Sequence, residues 1–170
     1  DFQIMGAPKV DWLMPFSHPM PPDEDQGTSD SCVSQAWSYY HWQLHGDDYS
    51  RRDLFARIAL QYGAIIRDGG LAIVKQGQAT RDEVSDPDPQ TSQNMRDKTG
   101  ITAEAEASDR EFDSYVLPKD IDSVAAAIRD YKGVVFGVSG NDAGWGDLEN
   151  PVPPSSNTVN WGHALYLFGY

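Results

Sequence analysis

An α+β fold is predicted by three features of the chain. Helical periodicity gathers in the first half, β-branched apolar runs gather in the second, and a proline-rich opening segment precedes both. With 170 residues, 39% of them apolar, the chain can bury one ordinary core, so residues 1–170 are expected to form a single folding unit. The segregation predicts a helical N-terminal lobe, about 10–115, packed against a β-rich C-terminal lobe, about 116–170.

Each element follows from local pattern. Pro15, Pro19, Pro21 and Pro22 forbid a continuous helix before residue 30 and favour an extended surface segment. From Cys32 the apolar residues Val33, Ala36, Trp37, Tyr40 and Leu44 recur at spacings of three and four, which predicts a helix capped by Asp30 or Ser31 and ended by Gly46. A second helix is expected from Arg51 to Tyr62, with Ser50 as cap, Asp53 completing a capping-box-like pattern and Gly63 closing it. Gly69-Gly70 and the apolar run Leu71–Val74 follow, and their pattern fits no one state. The acidic stretch 80–115 reads as a long surface loop with short pieces of structure, and its carboxylates Asp82, Glu83, Asp86 and Asp88 as a solvated cluster without metal-loop spacing. Order is expected to return at Leu117-Pro118, with a helix through Ile121, Val124, Ala125, Ile128 and Tyr131 that ends at Lys132-Gly133. Val134–Val138 then reads as a buried strand, residues 140–160 as a Gly/Pro/Asn-rich loop, and His163–Tyr170 as a final strand.

Composition excludes several functions. Thirteen Lys and Arg against 26 Asp and Glu give a net charge of −13, a sign that repels phosphate backbones and argues against nucleic-acid binding. No apolar run approaches the ~20 residues that span a bilayer. No signal peptide is visible at the N-terminus, and the compartment stays open between cytoplasm, virion and export after processing. Neither a metal nor an organic cofactor is indicated.

The chemistry centres on the one cysteine, Cys32, which leaves no intramolecular disulfide. Most free cysteines are buried small hydrophobes. A cysteine in the first turn of a helix differs, because unpaired amide N–H groups and the positive end of the macrodipole favour its thiolate. An imidazole completes such a nucleophile. Of the four histidines, His41 and His45 lie on the Cys32 helix too far along to reach back, and His18 lies in the proline-rich segment. His163 opens a strand after a flexible loop, a place at a cleft edge. Gln26 precedes Cys32 by six residues in a loop, where its amide N–H₂ and the Cys32 backbone N–H can hold an oxyanion.

The run Gln26-Gly27-Thr28-Ser29-Asp30-Ser31-Cys32 resembles the active-site motif of papain-like cysteine peptidases (family C1), Q-G-x-C-G-S-C, and His163 follows at the family's distance of about 130 residues. Val10-Asp11-Trp12 looks like the family's opening V-D-W, Gly69-Gly70 like its substrate-binding glycine pair, and Gly162–Tyr170 like its x-H-A-V-x-x-V-G-Y stretch. The resemblance implies a two-lobed papain-like fold with an active-site cleft between the lobes. It implies peptide-bond hydrolysis through an acyl-enzyme on Cys32, with His163 as base and acid and Gln26 in the oxyanion hole, acting on a peptide or protein substrate. Gly69, Gly70 and Gly162 would contact the substrate main chain, and no metal or cofactor takes part.

The departures carry expectations of their own. Ser29 stands where the family has a cysteine, so the usual disulfide of this loop is missing, as in disulfide-poor bacterial, archaeal or phage relatives. Asp30 replaces a glycine of the cleft wall and is expected to favour a basic residue before the cleaved bond. Gly137 stands where a pocket-lining side chain is expected, which predicts a roomier pocket. The asparagine that orients the family's histidine lies beyond the family's G-Y; Asn157 and Asn160 precede His163, so either the polypeptide continues past Tyr170 to supply it or the histidine has no such orienter. Two further readings are a catalytically weak papain-like domain serving as a binding or structural module, with a structural partner in a larger assembly, and a cell-wall peptide amidase.

Overall fold

The computed structural model describes Asp11, residues 13–103, Ala105, residues 120–140, Val159 and residues 161–170. The expectations for Val10, Trp12 and Leu117-Pro118, and most of those for 140–160, fall outside these residues.

The fold mixes helix and strand. Helix α1, Cys32–His45, starts at the cysteine and ends where Gly46 takes a left-handed φ of 83° and returns its N–H to Trp42 O at 2.7 Å. Its burial is broader than one apolar stripe, since Ser34, Gln35, Ser38 and His41 are buried along with Val33, Ala36 and Tyr40. Helix α2, Arg51–Ile58, begins as predicted, with Ser50 Oγ accepting the Asp53 N–H at 3.0 Å. It stops short of Tyr62 because Ala59 turns to extended backbone, and the chain closes a turn with Leu60 N donating to Gly63 O at 2.9 Å.

The run that fitted no one state is helix α3, Ile66–Gln76. Gly69 and Gly70 lie inside it and are buried under the Trp37 ring. A Cβ on either would come within 2.5 and 2.7 Å of that ring, and Trp37 Nε1 donates to Ile66 O at 2.7 Å. The two glycines lower helix propensity by roughly 1 kcal/mol each, so the local signal is weak where the tertiary reason is strong. Helix α4, Ser92–Met95, is a single turn closed by a Thr91/Asn94 capping box. Helix α5, Ile121–Tyr131, is capped by Asp120 accepting the Ser123 N–H at 2.9 Å, and its C-cap Lys132 adopts a φ of 74°.

Strands β1, Val134–Gly140, and β2, Trp161–Leu167, pair antiparallel with Val138 opposite His163 and Ser139 opposite Gly162. As predicted, the described part of the opening segment holds no helix, and it is tied to the chain's end. Phe16 and Tyr170 exchange N–H···O bonds of 2.9 and 2.8 Å, and His18 N donates to Phe168 O at 2.8 Å. The core lies between α1, α2, α3 and β2, built from Val33, Ala36, Tyr40, Leu54, Ile58, Ile73 and Ala164.

One acidic residue departs from the solvated reading. Asp86 is buried at the start of α2, where its carboxylate accepts from Ser50 Oγ and from the backbone N–H groups of Arg51 and Arg52 at 3.1, 3.3 and 2.8 Å. A carboxylate at a helix N-terminus satisfies donors that the helix leaves open. Arg51 and Arg81 surround it with Asp48 and Glu24, and the bidentate Arg81 pair, 2.6 and 2.8 Å, holds Glu24 below the usual carboxylate range.

Candidate active site

The loop before Cys32 is built from its own side chains. Gly27 takes a φ of 58°, and a Cβ there would meet Gln90 O at 2.4 Å, so both backbone and space demand glycine. Thr28 N donates to the same Gln90 O at 3.1 Å. Gln26 and Ser29 lock each other: Gln26 Nε2 donates to Ser29 O at 2.9 Å, while Ser29 N and Oγ donate to Gln26 O at 3.2 and 2.7 Å. One amide hydrogen of Gln26 is thereby committed to the loop and its other hydrogen can serve a ligand.

Below the loop lies a buried polar layer. The Ser29 and Ser31 hydroxyls share a hydrogen bond of 2.6 Å, and Gln35 Nε2 donates to Ser31 Oγ at 3.1 Å and to Gln90 Oε1 at 2.7 Å. Ser31 occupies the N-cap position of α1, yet its side chain makes no cap bond, because its hydroxyl is spent in this layer. The predicted side-chain cap is therefore not formed. Cys32 follows as a half-buried free thiol on the first residue of α1, packed against the core cluster that contains Ala164.

His163 is exposed on β2, one residue before buried Ala164, so the strand's alternation turns the imidazole outward as the next side chain enters the core. His163 and Gln26 line one cavity of about 440 Å³, together with Gln35 and Ala36 of α1, Tyr39, and Met20–Glu24 of the opening segment. The other histidines are placed elsewhere. His18 Nε2 meets Ile128 O at 2.6 Å, and His41 stacks on Tyr49 at 3.6 Å with Nδ1 against Gln78 Oε1. His45 lies edge-on to His41 near the end of α1.

The close approach that requires glycine at positions 69 and 70 is made by Trp37. Two sequence expectations are corrected here. Asp30 is not a free charge. Its Oδ2 accepts from Arg96 Nη2 and from Gly63 N, each at 2.6 Å, and its backbone N donates to Ser92 Oγ at 3.1 Å. Burial pushes this carboxyl up, but the hydrogen bonds from Arg96, Gly63 and Ser92 outweigh it and hold the pKa at about 2. Gly137 opens no extra room, because Ile66 Cδ1 sits 2.9 Å from where its Cβ would be. Gly162 is exposed on β2, and a Cβ there would make an ordinary 3.8 Å contact with Val138 O.

Gln35, Gln90 and Arg96 escape sequence reasoning. No local pattern marks them: Gln35, three residues after Cys32, lies off the apolar stripe of α1 and is buried all the same. Among the described residues, no cluster of His, Cys, Asp and Glu has the makings of a metal site, and no helix is long and apolar enough to cross a membrane.

The fold is similar to that of a solved cysteine protease. In particular, the chain is similar to the crystal structure of Xylellain, a cysteine protease from Xylella fastidiosa, with a TM-score of 0.66 and 20% sequence identity over 96% of this chain and 78% of that one. At that identity the likeness is one of fold. No protein-family model matches the chain, and no curated protein is significantly similar to it.

Proposed function

We propose that the chain is a papain-like thiol peptidase domain of the C1 type, hydrolysing peptide bonds through an acyl-enzyme on Cys32. The observation that carries this reading is that Gln26 and His163 line one cavity walled by Gln35 and Ala36, one turn along the helix that the chain's only cysteine heads, although Cys32 is not itself among the lining residues. The helical part and the β-hairpin part are then the two lobes, meeting at this cavity.

His163 takes the Cys32 proton, and the thiolate attacks the substrate carbonyl carbon. The resulting oxyanion accepts hydrogen bonds from the Cys32 backbone N–H and from the uncommitted Gln26 amide hydrogen. The C–N bond breaks as the His163 imidazolium donates its proton to the leaving amine. Water, deprotonated by His163, then attacks the thioester and releases the acid and the thiol. The loop geometry supports this division of labour. The Gln26–Ser29 lock orients the amide, and with the Ser31 hydroxyl engaged elsewhere α1 has no side-chain cap on its first-turn N–H groups.

Hydrolysis of unstructured protein or dye-linked peptide, abolished in Cys32→Ala and in His163→Ala, tests the proposal. Binding of such substrates without turnover in the parent chain would instead favour the binding-module reading. Release of peptides from cell-wall material alone would favour the amidase.

A further inference from the structure

We propose that Asp30 and Arg96 are positioning residues for Cys32, their ion pair clamping the loop before the thiol to the turn at residues 60–63 and to α4. The inference rests on the thiol-peptidase reading for its consequence, and on the hydrogen-bond geometry for its substance.

Three separate segments meet at this pair. Asp30 stands two residues before Cys32, and a single oxygen of its carboxylate takes both the Gly63 N–H and Arg96 Nη2. The same Arg96 nitrogen donates to Leu60 O at 2.8 Å, and Nη1 donates to Ser92 O at 2.9 Å. The guanidinium lies 5.1 Å over the ring of Phe55, a fully buried residue of α2, so the fork is fixed by packing as well as by charge. Asp30 N on Ser92 Oγ adds a second link from the loop to α4.

The turn closes on itself through Leu60 N–H donating to Gly63 O. Leu60 and Tyr62 are 49% and 83% exposed, so few apolar contacts anchor the segment, and segments of that kind open first. A covalent tie is ruled out within this chain, because Cys32 is its only cysteine and position 29 is a serine. A charge-assisted, forked contact is the strongest non-covalent substitute the side chains offer. Lysine in place of Arg96 keeps the charge but lacks the planar fork that reaches Asp30, Leu60 and Ser92 together.

The test uses Arg96→Met, Arg96→Lys and Asp30→Asn, read by amide hydrogen exchange and by the rate of Cys32 alkylation with iodoacetamide at pH 6. Arg96→Met should speed exchange in both the 26–32 and 59–65 segments, with α5 and the β1–β2 hairpin unchanged, and should slow alkylation about tenfold. Arg96→Lys should restore part of both. Asp30→Asn keeps an acceptor for Gly63 N and so preserves folding, and should reproduce the Arg96→Met pattern in milder form. Faster exchange confined to residues 92–96, or an alkylation rate unchanged in all three variants of a parent that labels rapidly, would overturn the proposal. A parent thiol that labels slowly at pH 6 would defeat the peptidase reading, and the coupled exchange of the two segments would then decide the clamp alone.

Discussion

Gln26 holds its place through its own backbone carbonyl as much as through its amide, since Ser29 N and Oγ both bond to Gln26 O. Gln26→Ala therefore removes the proposed oxyanion donor while the loop keeps those two bonds. It should lower kcat roughly 10²–10³-fold with little change in KM, measured on a dye-linked peptide. Gly27→Ala is expected to act on folding instead. Its Cβ would enter the 2.4 Å space before Gln90 O at a left-handed φ, a combination that costs about 1–3 kcal/mol or more in denaturant unfolding. Asp30 adds a pH dependence whose sign follows from its depressed pKa. Its folded value of about 2 lies below the ordinary 3.8 of an aspartate, so its contribution is full above pH ~4 and fades as pH falls toward 2. The stability gap between the parent and Asp30→Asn should accordingly be flat from pH 5 to 7 and should close on acidification. The sequence points to Gln26 and Cys32 by motif, but the motif says nothing of Arg96. That partner is 66 positions away from Asp30, and only the folded chain pairs them.

At the scale of elements, helices with one dominant stripe or a clear cap are legible. Helix α1 is marked by its spacing and by Gly46, α5 by its apolar spacing and the Lys132-Gly133 end, and α2 by the Ser50 cap. Helix α3 is obscured because its glycines answer to Trp37 on another helix, and no local pattern records an indole ring. The α2 boundary is missed for a similar reason: Leu60 O is satisfied by Arg96 rather than by a further helical turn. The α1–α3 contact makes its own prediction. Gly70→Ala gains about 1 kcal/mol of helix propensity but places a Cβ 2.7 Å from Trp37, so the net change should be destabilising by about 1–2 kcal/mol. Combining it with Trp37→Phe, which shrinks the ring, should recover much of the loss. Additive losses in that double variant would contradict the packing account.

Across the whole molecule, the β-hairpin is joined to the helices through Ala164 and Tyr166 in the shared core, and to the opening segment through residues 16–18. The mixed fold class was legible because helical spacing dominates the first half of the chain and β-branched apolar runs follow helix α5 in the second. The ionic ties that fasten the loops were not, because a sequence does not say which carboxylate is buried. Asp86, in a stretch that reads as solvent-facing, is the clearest instance. Asp86→Ala leaves Arg51, itself 1% exposed, short of a partner and uncaps α2, and should cost about 3 kcal/mol in thermal or denaturant unfolding. The net charge of −13 belongs to the same scale, and should make cleavage of cationic peptides faster at low salt than at high salt.

The central claim is that Cys32 is a nucleophile activated by His163. It is tested most directly by the pH dependence of Cys32 alkylation in the parent chain and in His163→Ala. Rapid labelling well below pH 7 in the parent, lost in the variant, is the predicted result. Labelling that rises only on approach to the ordinary thiol range near ~8.5, identically in both proteins, would contradict it.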